Sequence, residues 1–442
     1  MKRHVIIGCF GRRDRPSITL GTDETATRLE FINSNKELNF GIGQAINYLN
    51  KLNVFPNEIG LDLLVLASHV YAADTRISRA SESQDNWTRE IRLVVPVSDS
   101  DRWNAAVPIL VRMLNFLTGD RWKIAFRARP KKFLTMVPRV PNQLLKPSFD
   151  SLALFSGGLD SLIGAINMLE DGKTPLFVSH ASDGATSKAQ ENLYGDLKSQ
   201  YQQAFNRLRL WMTFPKDIIK RSGAETSTRG RSFLFFATGI FAATGLNSPF
   251  ILQAPENGLI ALNVPLDPLR LGALSTRTTH PFYMARWNEL LAELAINGKV
   301  ENPYWNKTKG EMIAHCSNPQ LLQSLVAKSL SCSSPTKGRW RHIGVQHCGE
   351  CLPCLIRRAA ILFGIETDTT IYTVSDPKGP QVRSFKFAIE RLQREPTAAK
   401  LLIHKPGPLS DDPSKWEELA GIYGRGLNEV AAFLTNVAPG PR

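Results

Sequence analysis

The segment Ser151 to Ser161 contains residues whose types and order could bind phosphate: Ser-Leu-Ala-Leu-Phe-Ser-Gly-Gly-Leu-Asp-Ser. Its first five, mostly apolar residues predict a buried strand, and the apolar run Leu162 to Leu169 predicts a helix. The two glycines between them allow a ligand to approach the backbone closely. Backbone N–H groups at the start of a helix, together with the helix dipole, attract anions. The segment therefore predicts an anion site.

The polar side chains of this segment indicate which anion it could bind. Ser156 and Ser161 supply hydroxyl donors beside Gly157 and Gly158. Asp160 would repel a phosphate unless a cation lay between them, and this favours a nucleotide bound with Mg²⁺. The alternative is a plain glycine turn in which Asp160 is an ordinary N-cap.

Four cysteines follow a metal-binding spacing: Cys332, Cys348, Cys351 and Cys354. Four thiolates complete the tetrahedral coordination of Zn²⁺ and leave no open position, which predicts a structural zinc site. An iron–sulfur cluster and unmetallated thiols are the alternatives. Two histidines lie close enough in the sequence to replace a ligand, His342 and His347.

The composition is typical of a soluble, cytoplasmic protein. Six cysteines in 442 residues are too few for a disulfide scaffold, and Cys9 and Cys316 are predicted to be buried or free thiols. No signal peptide is visible, and the one membrane-like stretch, 233 to 252, is interrupted by glycine, asparagine and proline, so no membrane span is predicted. The net charge of +14 fits a phosphate-bearing partner, small or polymeric, or simply solubility.

The elements that must position the glycine segment alternate between strand and helix. Those predicted after it are strands at 175–179, 208–213 and 250–253 and helices at 188–208 and 231–244. This alternation predicts a parallel sheet covered by helices. Ligands of such sheets bind beyond the carboxyl ends of the strands, where Ser156 to Ser161 would lie.

Residues 1 to 125 are predicted to form a separate α+β domain of unknown role. Its predicted elements are strands at 5–9, 62–68, 91–97 and 123–127 and a helix at 103–117. Four residues that mix charge with an aromatic ring are interpreted as a polar face, with partner binding as the alternative: Asp74, Arg76, Trp87 and Arg89.

Two further segments flank the predicted parallel-sheet domain. Residues 126 to 149 are rich in proline and basic side chains, which predicts an extended linker that could touch nucleic acid. Residues 366 to 442 predict a helical C-terminal extension without visible chemistry.

The sequence Ser-Gly-Gly-Leu-Asp-Ser at 156 to 161 resembles the signature of the PP-loop ATP pyrophosphatases. Followed by the four-cysteine knuckle, it resembles the QueC family of 7-cyano-7-deazaguanine synthases. The segments that agree with that family are Arg231 to Leu234, Asn306 to Met312, Ser331-Cys332 and Cys354 to Arg357. The resemblance covers roughly residues 151 to 365, about half of the chain.

The resemblance implies an α/β, HUP-like PP-loop ATP pyrophosphatase domain with a zinc knuckle at 150 to 365, with ATP, Mg²⁺ and Zn²⁺ as cofactors. It implies a ligase that adenylates the carboxylate of 7-carboxy-7-deazaguanine, releases pyrophosphate and lets ammonia displace AMP. It assigns catalytic roles to Asp160 and Ser161. The implied nucleotide-binding residues are Ser156, Gly157, Gly158, Leu159, Asp160, Ser161 and Arg231.

Some features depart from that family. The Cys332–Cys348 loop is longer than usual, and the match is weak where the synthases carry substrate segments. The candidate substrate-binding residues there are Glu256, Asn257 and Arg277. The additional N-terminal and C-terminal parts resemble the QueC-like proteins of bacterial Qat-type anti-phage systems. A protein partner or protein acceptor from such a defence system is therefore an alternative to ammonia as the amine.

Two other functions are considered. One is a PP-loop enzyme that modifies tRNA by thiolation or ligation, which the positive charge and the basic linker favour. Thiolation would need a reactive cysteine pair away from the zinc, and Cys9 with Cys316 is a poor candidate. The other is a non-catalytic nucleotide-binding scaffold, against which the intact glycine motif argues.

Overall fold

The structure is a computed structural model of the 442-residue chain. It describes residues 3–83, 85–138, 149–180, 183–219, 222, 225, 227–246, 248–267, 277–338, 342–365 and 367–436. The predicted linker at 126 to 149 lies only in part within these ranges, because residues 139 to 148 fall outside them.

The described residues form two sets of strands and a larger set of helices. The strands are β1 (Arg3–Cys9), β2 (Glu24–Glu30), β3 (Glu90–Val97), β4 (Arg121–Ala128), β5 (Ser151–Leu154), β6 (Pro175–His180), β7 (Asn206–Leu210), β8 (Phe250–Gln253) and β9 (Gly298–Glu301). The helices are α1 (Ile42–Lys51), α2 (Glu58–Arg76), α3 (Arg79–Glu82), α4 (Ser100–Ala105), α5 (Val107–Thr118), α6 (Leu159–Glu170), α7 (Gly184–Gln200), α8 (Arg231–Ala243), α9 (Gly258–Leu262), α10 (Pro281–Glu293), α11 (Lys309–Ala314), α12 (Pro319–Leu325), α13 (Leu352–Gly364), α14 (Pro380–Arg394), α15 (Ala398–Leu402) and α16 (Trp416–Asn436). None of these described helices combines the length and the apolarity needed to cross a membrane.

The first sheet has the strand order β2-β1-β3-β4, and each neighbouring pair runs parallel. Parallel strands need crossover connections: α4 and α5 connect the neighbours β3 and β4, and α1 to α3 connect β2 to β3, on the other side of β1. The N-terminal part is therefore an α/β unit, which corrects the predicted α+β domain. Strand composition alone does not reveal the direction in which strands pair, and this explains the error.

Helix α2 occupies a stretch for which the sequence predicted a strand at 62 to 68, and that prediction is wrong. Residues 60 to 74 are all buried, and a continuous apolar run fits a buried strand and a buried helix equally well. The residue before the helix stabilises its first turn. The Asn57 side chain accepts a hydrogen bond from the Gly60 N–H at 2.8 Å and so caps the helix.

The second sheet has the order β7-β6-β5-β8-β9, and its strands are also all parallel. This agrees with the predicted parallel sheet. Within this sheet, the first strand in the chain is the central strand β5. The next strands, β6 and β7, lie on one side of it, and β8 lies on its other side. A crevice opens at the carboxyl ends of the strands where the order reverses in this way, and ligands of such sheets bind there.

One hydrophobic core connects the two sheets through the contact between α2 and α8. Leu64 of α2, Phe236 of α8 and Leu152 of β5 belong to the same buried cluster. At Gly60 the two helices approach so closely that an added Cβ would lie 2.5 Å from the Thr244 hydroxyl. The two sheets therefore share their apolar interior.

A buried network of ion pairs also joins the first unit to the start of α8. Asp120 accepts both arms of the Arg79 guanidinium, at 2.6 and 2.8 Å, and one arm of Arg89 at 2.7 Å. Asp74 pairs with Arg89 at 3.2 Å and accepts the Gly230 N–H at 2.7 Å. Asp74 and Arg89 are buried, so their interpretation as a polar surface face is wrong.

The strand β4 continues to Ala128, past the position at which the linker was predicted to begin. A short 3₁₀ turn at Lys131–Phe133 follows it. The Phe133 ring packs against Phe10, with a centroid distance of 5.8 Å. This part of the segment is therefore joined to the first sheet.

The C-terminal residues form α14, α15 and α16, which pack on α9 and α13. Leu355 and Ile356 of α13 share a buried cluster with Ile422 and Tyr423 of α16. The helical extension thereby buries one side of α9 and of α13.

Candidate functional site

The glycine loop lies at the carboxyl end of the central strand β5, directly before α6. Gly157 has a φ of 81°, which a residue with a side chain rarely adopts. A Cβ at this position would also lie 2.9 Å from the Gln190 side chain. The Gln190 amide donates a hydrogen bond to the Ser156 carbonyl at 3.1 Å. The loop is thus fixed in a conformation that needs glycine.

The two hydroxyls predicted to meet phosphate lie beside each other. Ser156 Oγ and Ser161 Oγ are 3.1 Å apart, and Ser161 also donates to the Gly158 carbonyl at 2.9 Å. Leu159 is the first residue of α6. The structure therefore brings Ser156 and Ser161 to the positive end of a helix of 12 residues.

Asp160 connects the loop to two other segments instead of capping its own helix. The N-cap position belongs to Gly158, which has no side-chain cap. One Asp160 oxygen accepts the Asn257 backbone N–H at 3.0 Å and its side-chain amide at 2.7 Å. The other oxygen pairs with the ammonium of Lys309. The N-cap alternative for Asp160 is therefore wrong.

Asn257 and Lys309 are held in place by the helices that they begin. Asn257 follows β8 and caps α9, its side chain accepting the Ile260 N–H at 3.1 Å. Lys309 is the first residue of α11, behind a capping box formed by Thr308 and Glu311. Its side chain is only 4% exposed. Asn257 was a candidate for substrate binding. The structure brings it to the glycine loop, where it contacts Asp160.

Lys309 is a site residue that the sequence analysis did not assign. The Thr308-x-x-Glu311 capping pattern predicts that a helix starts in its segment. The three-residue spacing of Thr308 and Glu311 therefore predicts that Lys309 is the first residue of a helix. Nothing in the sequence indicated that this helix starts beside Asp160.

Glu256 lies next to Asn257 in the same crevice and is half-buried. Loss of hydration raises the pKa of its carboxyl to about 7, although a hydrogen bond from the Thr279 hydroxyl opposes this shift. The nearby charge of Asp160 raises the pKa further and Lys309 lowers it. A carboxyl with this pKa can hold or release a proton near neutral pH.

Arg231 lies on the rim of the crevice at the first turn of α8. Its guanidinium donates to the His180 carbonyl at the end of β6, at 3.2 Å. Gln190, which holds the Ser156 carbonyl, donates to the same His180 carbonyl at 3.2 Å. Arg231 is therefore connected to the glycine loop by two hydrogen-bond partners, the His180 carbonyl and the Gln190 side chain.

Arg277 lies elsewhere, against the first unit. Its guanidinium donates to the Phe116 carbonyl at 2.7 Å and lies 4.6 Å from the centre of the Phe116 ring. Burial lowers the pKa of Arg277. The structure thus places the side chain of this substrate-binding candidate against Phe116 of α5 and not at the glycine loop.

The sulfur atoms of the four predicted zinc ligands are close together. Those of Cys332, Cys348, Cys351 and Cys354 all lie within 4.8 Å of one another. Thiolates bound at 2.3 Å around a tetrahedral zinc ion would be separated by about 3.8 Å. The Cys332–Cys351 and Cys348–Cys354 pairs are both 3.9 Å apart. This group could therefore hold one metal ion such as zinc, whereas a cluster would spread its thiolates over several irons.

The backbone around the cysteines is arranged as it is around metal-bound thiolates. The N–H groups of Ser334 and Cys348 both lie 3.3 Å from the Cys332 sulfur. Gly349 turns the chain with a φ of 86°.

The cysteine group is connected directly to the glycine loop. The hydroxyl of Ser331, the residue before Cys332, accepts the Leu159 N–H at 3.1 Å. The Leu330 N–H donates to the Gly157 carbonyl at 2.8 Å. His347 accepts the Ser331 N–H at 3.2 Å through its Nε2. This nitrogen is thereby engaged with the backbone, and among the described residues the metal group contains cysteines alone.

The remaining two cysteines are buried, as predicted. Cys9 lies at the end of β1 and Cys316 follows α11, in separate hydrophobic clusters. Burial raises the pKa of Cys9 to about 11 and also raises the pKa of Cys316.

No protein-family model and no curated protein matches the chain. The resemblance to the QueC family therefore stays an expectation from the sequence motifs alone.

Proposed function

We propose that the crevice between the ends of β5 and β8 binds ATP and uses it to activate a carboxylate, which an amine then attacks. The observation that carries the proposal is the meeting of the glycine loop with three charged side chains at the point where the strand order reverses. These side chains are Asp160, Glu256 and Lys309.

The phosphates would lie on the glycine loop. The start of α6 offers backbone N–H groups and a helix dipole, and Ser156 and Ser161 add hydroxyls to the same place. Lys309 adds a positive charge behind the loop and Arg231 adds one on the rim. Donors fixed in this way stabilise negative charge that develops on a departing pyrophosphate.

The main role proposed for Asp160 is to hold the loop in place, and binding a metal ion would be secondary. Both of its oxygens already accept from Asn257 or pair with Lys309. Mg²⁺ bound with ATP would neutralise phosphate charge and assist departure of the leaving group. Mg²⁺ commonly keeps several waters and takes most other oxygens from the phosphates, so Asp160 would contribute only by sharing an oxygen with Lys309.

Glu256 is proposed as the proton acceptor for the second half-reaction. When an amine attacks the acyl adenylate, the C–N bond forms, the bond from the carbonyl carbon to AMP breaks, and the nitrogen loses a proton. A carboxylate with a pKa of about 7 matches this task near neutral pH. On the resemblance to the QueC family, the carboxylate substrate that we propose is 7-carboxy-7-deazaguanine.

The four-cysteine group would have a structural role in this scheme. A zinc ion with four thiolates has no open coordination position for a reactant. Its neighbours Leu330 and Ser331 bond to the glycine loop. Zinc bound there would therefore support the conformation of the loop.

Thiolation of a nucleic acid is less consistent with the site. Such a reaction needs an accessible, easily ionised cysteine. Cys9 and Cys316 are both buried, and their pKa values are raised. The remaining cysteines form the metal group.

The proposal is tested by the exchange of labelled pyrophosphate into ATP. We expect exchange that depends on 7-carboxy-7-deazaguanine, that is lost in Asp160→Ala and Lys309→Ala, and that is retained in Asp171→Ala, whose exposed carboxylate follows the same helix α6. Release of ADP in place of AMP, or pyrophosphate release that ignores the carboxylate, would contradict the proposal. Mass spectrometry of products formed with ammonia and with candidate peptide amines identifies the acceptor.

A further inference from the structure

We propose that the carboxyl edge of the first sheet, continued by the groove around Trp211, is a binding surface for single-stranded nucleic acid. This surface lies outside the crevice between β5 and β8. It consists of different residues, so binding there does not depend on the function proposed for that crevice.

One half of the surface is a basic patch formed by the loops that follow β1 and β4. Its exposed cations are Arg12, Arg13, Arg15, Lys131 and Lys132. Strands that run parallel end at the same edge of a sheet, and the Phe10–Phe133 contact joins the two loops directly. None of the ion pairs found among the described residues involves these five side chains.

The acidic side chain of this patch is already neutralised. Asp14 lies within the first loop, and Arg127 pairs with it at 2.6 Å. The Phe10 N–H and the Arg127 guanidinium both donate to this carboxylate. The patch therefore presents net positive charge to a partner.

The other half is an open groove with a cavity volume of about 750 Å³. Phe40, Phe214 and Trp211 line it, and the Trp211 side chain is exposed to 45%. The Arg209 guanidinium lies 5.4 Å from the centre of the Trp211 ring. An exposed indole with a neighbouring arginine offers a flat face on which a base can stack.

The groove and the basic patch lie at the same edge of the first sheet. Phe40 belongs to the loop that follows β2, so this loop leaves the same edge of the first sheet. Beneath the surface, ring contacts run from Phe133 through the buried Phe10 and Phe31 to Phe40, with centroid distances of 5.8, 5.7 and 5.6 Å. A polymer bound along this edge would therefore meet both the patch and the groove.

Single-stranded nucleic acid matches both halves at once. Its phosphates pair with the cations and its unpaired bases stack on the exposed ring. A duplex hides its base faces, and an acidic peptide would use the patch but leave the groove empty. The net charge of +14 favours the approach of such a polyanion.

The test is the fluorescence anisotropy of labelled oligo-dT and oligo-rU of about 20 nucleotides, longer than the about 4–16 nucleotides that one binding module covers. For Trp211→Ala we expect affinity to fall by about fivefold or more, because stacking on one ring is lost. For Arg12→Glu/Arg13→Glu we expect weaker binding and a slope of log K against log salt that is shallower by about 1.4, the share of two phosphates. Comparison of dT with rU identifies the preferred nucleic acid.

Matched control variants lie on α14, away from this surface. Arg383→Glu/Lys386→Glu changes the net charge by the same amount at exposed positions, and Phe387→Ala removes an aromatic ring that is 46% exposed. The proposal is overturned if the controls weaken binding as much as the test variants, or if the protein binds neither oligonucleotide. Binding to vesicles of anionic lipid without binding to oligonucleotides would also overturn it.

Discussion

Asp160 is a buried carboxylate whose two oxygens serve two different segments of the chain. Lys309 supplies the opposite charge, and Asn257 supplies two N–H donors. Each partner is nearly removed from water, since the Lys309 side chain is 4% exposed and that of Asp160 is 11% exposed. Removing one member of such a pair leaves an uncompensated charge, whereas removing both does not.

We therefore expect Asp160→Ala to lower the free energy of unfolding by about 3–5 kcal/mol. Lys309→Met in the same background should restore much of this loss, because the stranded ammonium is gone. Urea denaturation of the two single variants and the double variant measures this coupling. A double variant as unstable as the sum of the single variants would contradict the pairing.

The raised pKa of Glu256 leads to a prediction for the pH dependence of activity. If Glu256 accepts the proton of the attacking amine, only its ionised form is active, so amide formation should decline as the pH falls through about 7. Glu256→Gln should be slow at every pH and lose this inflection. Glu301→Gln, an exposed carboxylate at the end of β9, serves as the control. An unchanged pH profile in Glu256→Gln would exclude the assignment.

The sequence predicted the individual residues of the loop better than their partners. Ser156, Gly157 and Asp160 belong to one short segment, and their strand-turn-helix context is local. Lys309 and Asn257 reach Asp160 only because β8 lies beside β5 in the sheet. Strand order is a long-range property, which periodicity and capping patterns within one segment do not contain.

At the level of elements, α16 supports the helix that carries Lys309. Glu429 accepts the Gly310 N–H at 3.2 Å and the Thr308 hydroxyl. Arg425 pairs with the capping-box residue Glu311 at 2.7 Å. The C-terminal extension therefore fixes the start of α11 from behind, which its sequence gave no reason to expect.

Burial raises the pKa of Glu429 from 4.5 to about 7. A carboxyl whose pKa is raised by folding stabilises the folded state at acid pH, and this contribution is lost as the pH rises from about 4.5 through about 7. Glu429→Gln imitates the protonated form, so stability should fall less between pH 5 and pH 8 than in the wild type. Glu429→Ala leaves the Gly310 N–H unpaired and should cost about 1–3 kcal/mol at pH 5.

Urea unfolding at the two pH values distinguishes these outcomes. A glutamine variant whose stability still falls with pH as steeply as that of the wild type would show that the Glu429 carboxyl does not titrate as described.

The cysteine group provides a second prediction at this level. Cys351→Ser should reduce the bound zinc, measured by atomic emission, from one ion per chain to well below one. It should also lower the thermal midpoint, because metal binding contributes to folding. Cys316→Ser, which changes a cysteine outside the group, should keep its zinc. Equal zinc content in both variants would contradict the site.

For the whole molecule, the shared core predicts that the two sheets unfold together. The face of α8 that packs on α2 is apolar and fully buried. A chain that begins at residue 149 would expose this face, so we expect it to be insoluble or to lack a cooperative transition. A full-length protein that unfolds in two separate transitions, by calorimetry, would contradict this expectation.

The arrangement of the whole chain was the least predictable part of the fold. The sequence indicated a parallel second sheet correctly, since strands and helices alternate there. It described the first unit as separate and its charged residues as a surface. The buried pairs of Asp74 and Asp120 with Arg89 show the reason: a charged residue is normally exposed, and only the fold reveals that its partner is buried beside it.

The hydrogen bond from the Leu159 N–H to the Ser331 hydroxyl has a thermodynamic consequence. A phosphate oxygen that accepts a hydrogen bond from the Leu159 N–H must displace the Ser331 hydroxyl, which accepts it in this structure. One hydrogen bond then replaces another, so the net binding free energy gained at this N–H is small. The displaced residue adjoins Cys332, a candidate zinc ligand. If nucleotide occupancy changes the affinity for zinc, zinc must change the affinity for nucleotide by the same factor. Titrations of either ligand in the presence of the other would then give one coupling constant for two sites.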